Sequence, residues 1–246
     1  MKVLSYYNNK GGVGKTTVVI NVASELAREN KVLVIDLDGQ ANCSRFYTDP
    51  VAGLETALVK KSFSPSVALK NTRYENIDVL TATAGLNFTA AMFEQLPDDE
   101  QTANVQKVID INGGYDYVLI DLPPALNRIT EKVIALSDCV FVPIELGIFA
   151  IQGIPAVTEV LADADAKFGG CIVNKFDREN PADTELLELL KELLGDKVLN
   201  TTIPFSRVIK NSFSYKMTAN EYMKWTAAAQ AFEDLSREIK ERTDEI

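Results

Sequence analysis

The sequence contains no histidine, and its three cysteines, Cys43, Cys139 and Cys171, stand far apart with no CxxC pair. Zinc sites, iron–sulfur clusters and disulfide frameworks draw on those residue types at close spacing, so the sequence argues against all three, and it excludes any mechanism with a histidine base. A reducing, cytoplasmic setting is expected. No apolar run approaches the roughly 20 residues that span a bilayer. Met1 leads straight into a strand-like pattern, so no secretory leader is expected. There is no internal repeat and no low-complexity linker. With 246 residues, one domain over 1–246 is the expected organisation. Basic residues are outnumbered, 25 against 35, for a net charge of −10. That total is a poor footprint for nucleic acid, so any locally basic segment carries weight.

What is present begins with Asn8-Asn9-Lys10-Gly11-Gly12-Val13-Gly14-Lys15-Thr16-Thr17. An apolar run, Val3–Tyr7, precedes it and reads as a buried strand. Val18 to Ala27 follows with helical spacing. Strand, glycine-rich loop and Lys-Thr opening a helix is the context of a phosphate-binding loop. Gly11, Gly12 and Gly14 let backbone N–H groups turn inward on phosphates. The helix start at Lys15 aims its positive dipole end at the same anions. Lys15 adds a charge at the β and γ phosphates, and the Thr16 hydroxyl can ligate Mg2+.

Three further strands end in chemistry-bearing residues. Lys31–Asp36 runs into Leu37-Asp38-Gly39-Gln40-Ala41-Asn42. Asp36 and Asp38, two apart, would point the same way on an extended chain, toward the phosphates. Tyr115–Asp121 is an apolar strand closed by an acid and followed by Leu122-Pro123-Pro124, the Walker B arrangement in which the acid holds Mg2+ directly or through water. Gly170–Asp177 ends in Asn174-Lys175-Phe176-Asp177; read alone, NKxD is the guanine-recognition motif and favours GTP. The alternation of such strands with helical patterns predicts an α/β fold, a doubly wound, mostly parallel sheet with helices on both faces.

The loop KGGVGKTT, with Asn9 where the strict motif has glycine and with the extra Lys10, resembles the deviant Walker A motif of the ParA/MinD family of ATPases. VLVIDLDGQAN resembles that family's second motif, usually DLDPQGN; Gly39 replaces the proline and Ala41 the glycine. The Asp-x-Pro-Pro after Asp121 fits the same pattern. After Cys139–Ile144, the family's second proline is missing from Pro143-Ile144-Glu145-Leu146, while the Ala150–Gly153 spacing survives. The resemblance implies ATP and Mg2+. Lys10 would reach across a homodimer to the partner's nucleotide. Asp38 would orient the attacking water, with Lys15 on the phosphates. Asp36 would support a metal shell completed by Thr16 and Asp121. Asn174 would contact adenine, and Ile203-Pro204-Phe205 would lie against the base. By the same resemblance ATP is preferred to GTP.

The stretch from Arg207 to Lys224 holds four bases (Arg207, Lys210, Lys216, Lys224) and one acid (Glu221). In ParA-like proteins this segment contributes to non-specific DNA binding. Asn211–Tyr215 offers donors suited to phosphates. The chain is similar to short ParA forms, with no N-terminal helix-turn-helix extension expected. That implies a partition ATPase, cytoplasmic and nucleoid-associated with ATP, driving plasmid or chromosome segregation with a ParB-like partner that stimulates hydrolysis. The alternative is a MinD-like or cargo-positioning ATPase. A MinD-type basic tail is not evident: residues 232 to 246 hold six acids (Glu233, Asp234, Glu238, Glu241, Asp244, Glu245) and three bases (Arg237, Lys240, Arg242), so no membrane partner is expected. Trp225, Phe232, Leu235 and Ile239 are expected on one packed side of a helix from about Ala219 to Arg242.

Overall fold

The structure is a computed structural model and describes residues 1–244; Glu245 of the acidic tail lies outside them. The elements in chain order are β1 (Lys2–Tyr6), α1 (Lys15–Leu26), β2 (Val32–Asp36), α2 (Asn42–Tyr47), α3 (Leu54–Val59), β3 (Leu69–Asn71), β4 (Ile77–Leu80), α4 (Leu86–Glu94), α5 (Asp98–Ile109) and β5 (Tyr117–Asp121). They continue as α6 (Arg128–Ala135), β6 (Cys139–Glu145), α7 (Ile148–Gln152), α8 (Ile154–Asp163), β7 (Phe168–Asn174), α9 (Pro181–Leu194), α10 (Arg207–Ser214), α11 (Ala219–Tyr222) and α12 (Ala227–Asp244).

The seven strands form one sheet in the order β3-β4-β2-β5-β1-β6-β7. All neighbours are parallel except β3, which caps the β4 edge in antiparallel register. Every residue of β2 and β5 is buried, as expected of parallel strands covered on both faces. Alternation splits the apolar residues into two cores. Leu4, Tyr6, Val32, Val34, Leu119 and Phe141 pack on the side of α1 and α12. Val3, Leu33, Ile35, Val118, Ile120 and Val142 pack on the side of α3, α5, α6 and α8. The doubly wound layout follows from this period-two split. The three cysteines are free and buried within these cores. No described helix is long and apolar enough to cross a membrane.

The expectations for the C-terminal helix need correction. The predicted helix from Ala219 divides in two. Met223 N donates to Ala219 O (3.0 Å) and ends α11; Thr226 Oγ1 then accepts from Ala229 N (3.3 Å) and caps α12. Between them Trp225 takes a left-handed backbone (φ 69°) and is 87% exposed, so it leaves the packed stripe that Phe232, Leu235 and Ile239 do form. A bulky residue held at positive φ costs about 1–3 kcal/mol, and a helix cannot run through it.

The two aromatic positions should therefore behave oppositely. Phe232→Ala is expected to lower unfolding free energy by about 3–5 kcal/mol, because it empties a closed core site. Trp225→Ala should change it by less than about 0.5 kcal/mol. Urea denaturation of the two variants measures both, and a large loss at Trp225 would contradict the exposed position.

Candidate functional site

The strand ends converge as α/β sheets require, at the carboxyl edge beside the switch from β5 to β1 and β6. The loop between β1 and α1 is pinned from three sides. Asn8 Nδ2 donates to Pro143 O (2.8 Å), and Asn8 Oδ1 accepts from Lys10 N (2.9 Å). At the far side Asn174 Nδ2 donates to Val13 O (2.7 Å), while Lys175 Nζ donates to Gly12 O (2.8 Å) and pairs with Glu145 Oε2 (2.7 Å). Two loop carbonyls are thus turned toward β7, away from the cleft. Gly12 (φ 78°) and Gly14 (φ 94°) adopt the left-handed backbone that this turn needs. A Cβ on Gly14 would run into the Asn174 amide, whereas one on Gly11 or Gly12 would meet nothing. The loop is therefore packed on its β7 side and open on its cleft side.

Lys15 is 7% exposed and bends back over the loop to donate to Asn8 O (3.0 Å). Burial pulls its ammonium below the ordinary range, and the charges of Asp121 and Asp38 oppose that shift. Thr16 Oγ1 donates to Asp121 Oδ2 (2.7 Å), whereas Asp121 Oδ1 is buried with no partner. An orphaned carboxylate oxygen beside a threonine hydroxyl, in an oxygen-only donor set, fits Mg2+. Among the described residues no three His, Cys, Asp or Glu side chains converge as a ready-made cage.

Asp36 and Asp38 do not point the same way. β2 ends at Asp36, and Asp36 Oδ1 accepts from Asp38 N (3.0 Å), an Asx turn that redirects the chain. Asp36 is fully buried and its other oxygen accepts from Ser44 N (2.8 Å) and Ser44 Oγ (2.7 Å) at the start of α2. Only Asp38 lines the cleft. Ala41, where the resemblance has glycine, keeps the left-handed turn (φ 54°) that leads into α2.

Two clefts meet at the loop. One, of about 600 Å3, is lined by Gly11, Lys15, Thr16, Asp38, Arg45 and Phe213 among others. The second, of about 430 Å3, is lined by Asn174, Lys175, Glu145, Pro204, Phe205 and Lys210 among others, and shares Gly12, Gly14, Thr17 and Phe213 with the first. Pro204 and the exposed Phe205 reach this second cleft, but Ile203 is a core residue and does not. Val13 is buried and offers only its backbone. Asp177 lies on the surface and lines neither cleft; it accepts from Glu179 N (3.1 Å) in the turn before α9. Lys10 is exposed, outside both clefts, and its ammonium has no hydrogen bond or ion pair among the described residues.

The basic segment divides. Lys216 borders the first cleft and Lys210 the second; Arg207 borders neither, and Lys224 lies over the Trp225 ring. Two of the hydroxyls expected to meet phosphates bond to the backbone of α10 itself: Ser212 Oγ donates to Ile209 O (2.9 Å) and Ser214 Oγ to Lys210 O (3.4 Å), while Tyr215 is exposed. The sequence pattern missed Arg45, Phe46, Phe213 and the Lys175–Glu145 pair. Arg45 Nη1 donates to Gln40 O (2.6 Å) and so steadies the turn that carries Asp38. Phe46 stacks on Tyr74 (6.0 Å) and meets Phe213 (5.3 Å). A helix as short as α2 gives little periodicity, and only its N-terminal Asn42 could have flagged it.

The strand–loop–helix cradle, its inward lysine and the acid at the end of β5 define a P-loop nucleoside-triphosphate protein. An AAA domain family model matches residues 1–169. The chromosome partitioning protein ParA of Caulobacter vibrioides is 30% identical, over 98% of this chain and 95% of its own length. The chain belongs to the ParA/MinD family of ATPases. Among solved structures, apo McdA of Cyanothece superposes with a TM-score of 0.85 at 21% identity, covering 98% of this chain and 99% of that chain. MinD of Pyrococcus horikoshii complexed with Mg-ADP gives 0.79 at 24%, covering 97% and 95%.

The buried acids set a pH dependence. Burial pushes Asp36 up to about 6, and burial together with Asp36 raises Asp121 well above the usual range. An unfolded Asp ionises near pH 3.9. The native state therefore keeps a proton that the unfolded chain has lost, and the stability this supplies is complete below about pH 4 and disappears as pH rises through 6. Nucleotide-free Asp121→Asn should lose less thermal midpoint between pH 5 and pH 8 than the parent protein. Parallel curves in differential scanning fluorimetry would contradict the coupling.

Proposed function

We propose that this chain is a ParA-like partition ATPase that forms an ATP-dependent sandwich dimer, binds DNA without sequence preference and is released by partner-stimulated hydrolysis. The observation that carries this reading is the contrast between the two loop lysines. Lys15 is folded inward over the phosphate position, while Lys10 stands exposed and unpaired among the described residues, outside its own cleft. A lysine in that place has no task within its own subunit and suits a partner's triphosphate.

The triphosphate would lie along the amides of Gly11 to Thr17, with the base in the second cleft against Pro204 and Phe205. Asn174 flanks the base. Asp177 is turned away from the clefts and spent in a turn, which favours adenine over guanine. Thr16 and Asp121 would hold Mg2+, with Asp36 behind them tying α2 to the site through Ser44. The ion, when bound, supplies charge neutralisation on the phosphate oxygens. Lys15 adds a second positive charge there, and the partner subunit's loop lysine a third. Asp38, on the turn steadied by Arg45, positions a water for in-line attack. No side chain of the site is a strong base, so rate comes from positioning and charge, and turnover is slow. A ParB-like protein would speed that step. Lys210 and Lys216 border the nucleotide, while Arg207 and Lys224 lie outside both clefts, free for DNA phosphates. The acidic α12 disfavours an anionic membrane as the docking surface.

Lys15→Ala should abolish ATP binding in equilibrium titrations. Lys10→Ala should keep ATP affinity within a few-fold and yet stay monomeric with a non-hydrolysable analogue. Dimers of that variant in light scattering would sink the proposal.

A further inference from the structure

The sequence has a single tryptophan, and the fold spends it at the surface. Trp225 is held at φ 69°, a backbone that a bulky residue rarely adopts, in the break between α11 and α12. Nothing in either core uses its ring. The segment that leads to it, from Arg207 to Lys224, is unusual for so acidic a chain. Lys224 Nζ lies 4.9 Å from the centre of the Trp225 ring. Tyr215, also exposed, stacks on Tyr222 at 5.6 Å with planes 15° apart. Lys210 and Lys216 are exposed on the same segment, and its one acid is withdrawn: Arg73 holds both oxygens of Glu221 (2.6 and 2.8 Å), and Tyr74 donates its hydroxyl to the same group (2.6 Å).

We infer that this surface binds nucleic acid through base faces as well as phosphates, with the Trp225 ring stacking on a base and Lys224 beside it on the backbone. This rests on the DNA-binding reading above and adds to it the kind of contact made. The occupant follows from charge and ring chemistry. A polyanion meets the bases of this segment, whereas most of the chain would repel it. A flat ring carried on a strained, exposed turn fits the π-face of an unpaired or splayed-out base, independent of sequence. An apolar partner would leave Lys224 desolvated without a counter-charge.

The test uses the full chain with Mg2+ and a non-hydrolysable ATP analogue, titrated with a fluorescein-labelled DNA duplex and with an oligo-dT strand. Anisotropy reports binding, and Trp225 emission reports stacking, with no other tryptophan to interfere. Emission should be quenched in step with anisotropy. Trp225→Ala should weaken binding by about 5- to 150-fold, the equivalent of about 1–3 kcal/mol at tenfold per 1.4 kcal/mol, with the salt slope unchanged. Trp225→Phe should recover most of that affinity. Lys224→Ala should instead reduce the salt slope by about 1. Normal binding with unchanged emission and an unaffected Trp225→Ala variant would overturn the stacking inference and leave the DNA-binding reading intact. No anisotropy change with either DNA would overturn both. Emission that responds to phosphatidylglycerol vesicles but to neither DNA would assign the surface to membrane instead.

Discussion

Two carboxylates buried side by side hold the centre of this structure under tension. Asp36 and Asp121 are register partners at the ends of β2 and β5, both out of water, and each raises the cost of ionising the other. Backbone and hydroxyl donors from Ser44 and Asp38 relieve Asp36, and Thr16 relieves one oxygen of Asp121. The remaining oxygen of Asp121 has no partner. A cation held there by Asp121 and Thr16 would satisfy that oxygen and supply charge to offset the repulsion. The site is thus built as a charge deficit, and the surrounding elements exist to keep it aligned: α1 brings Thr16 and Lys15, α2 brings Ser44, and the Asx turn after β2 presents Asp38.

The phosphate loop is held by a different device. Its inner carbonyls are claimed by Asn174 and Lys175 at the end of β7, far along the chain from the loop itself. A backbone whose carbonyls are occupied on one side leaves its N–H groups to the other. The Lys175–Glu145 pair is half-exposed and contributes modestly as an ion pair, but its hydrogen bond to Gly12 acts on geometry. This explains why an NKxD sequence is present without its aspartate at the base: the first two residues brace the loop, and Asp177 closes a turn.

The phosphate loop, the Walker B strand and the alternation of buried strands with helices were legible because each depends on local periodicity or on a glycine that the backbone demands. The doubly wound sheet follows from them. What was not legible depends on contacts between distant segments. Asp36 and Asp38 look equivalent in an extended register, and only the Asx turn separates them. Ile203 reads as part of a base-binding loop, yet its side chain fills the core while Pro204 and Phe205 face the cleft. Trp225 fits a helical stripe by spacing alone; the cap at Thr226 and the end of α11 remove it. The short α2 and β3 lie in a stretch with too few residues per element for any period to show.

The contact of Phe213 with Phe46 carries one more implication. Phe46 follows Arg45, the residue that steadies the Asp38 turn, and Phe213 sits in the last turn of the basic α10. Both rings wall the same cleft. The cleft beside the phosphate loop and the basic α10 therefore share a wall. Under the proposed function, thermodynamic reciprocity would apply: whatever free energy a bound nucleotide lent to the posture of α10, a polyanion fixing that posture would return, in equal measure, as tighter hold on the nucleotide.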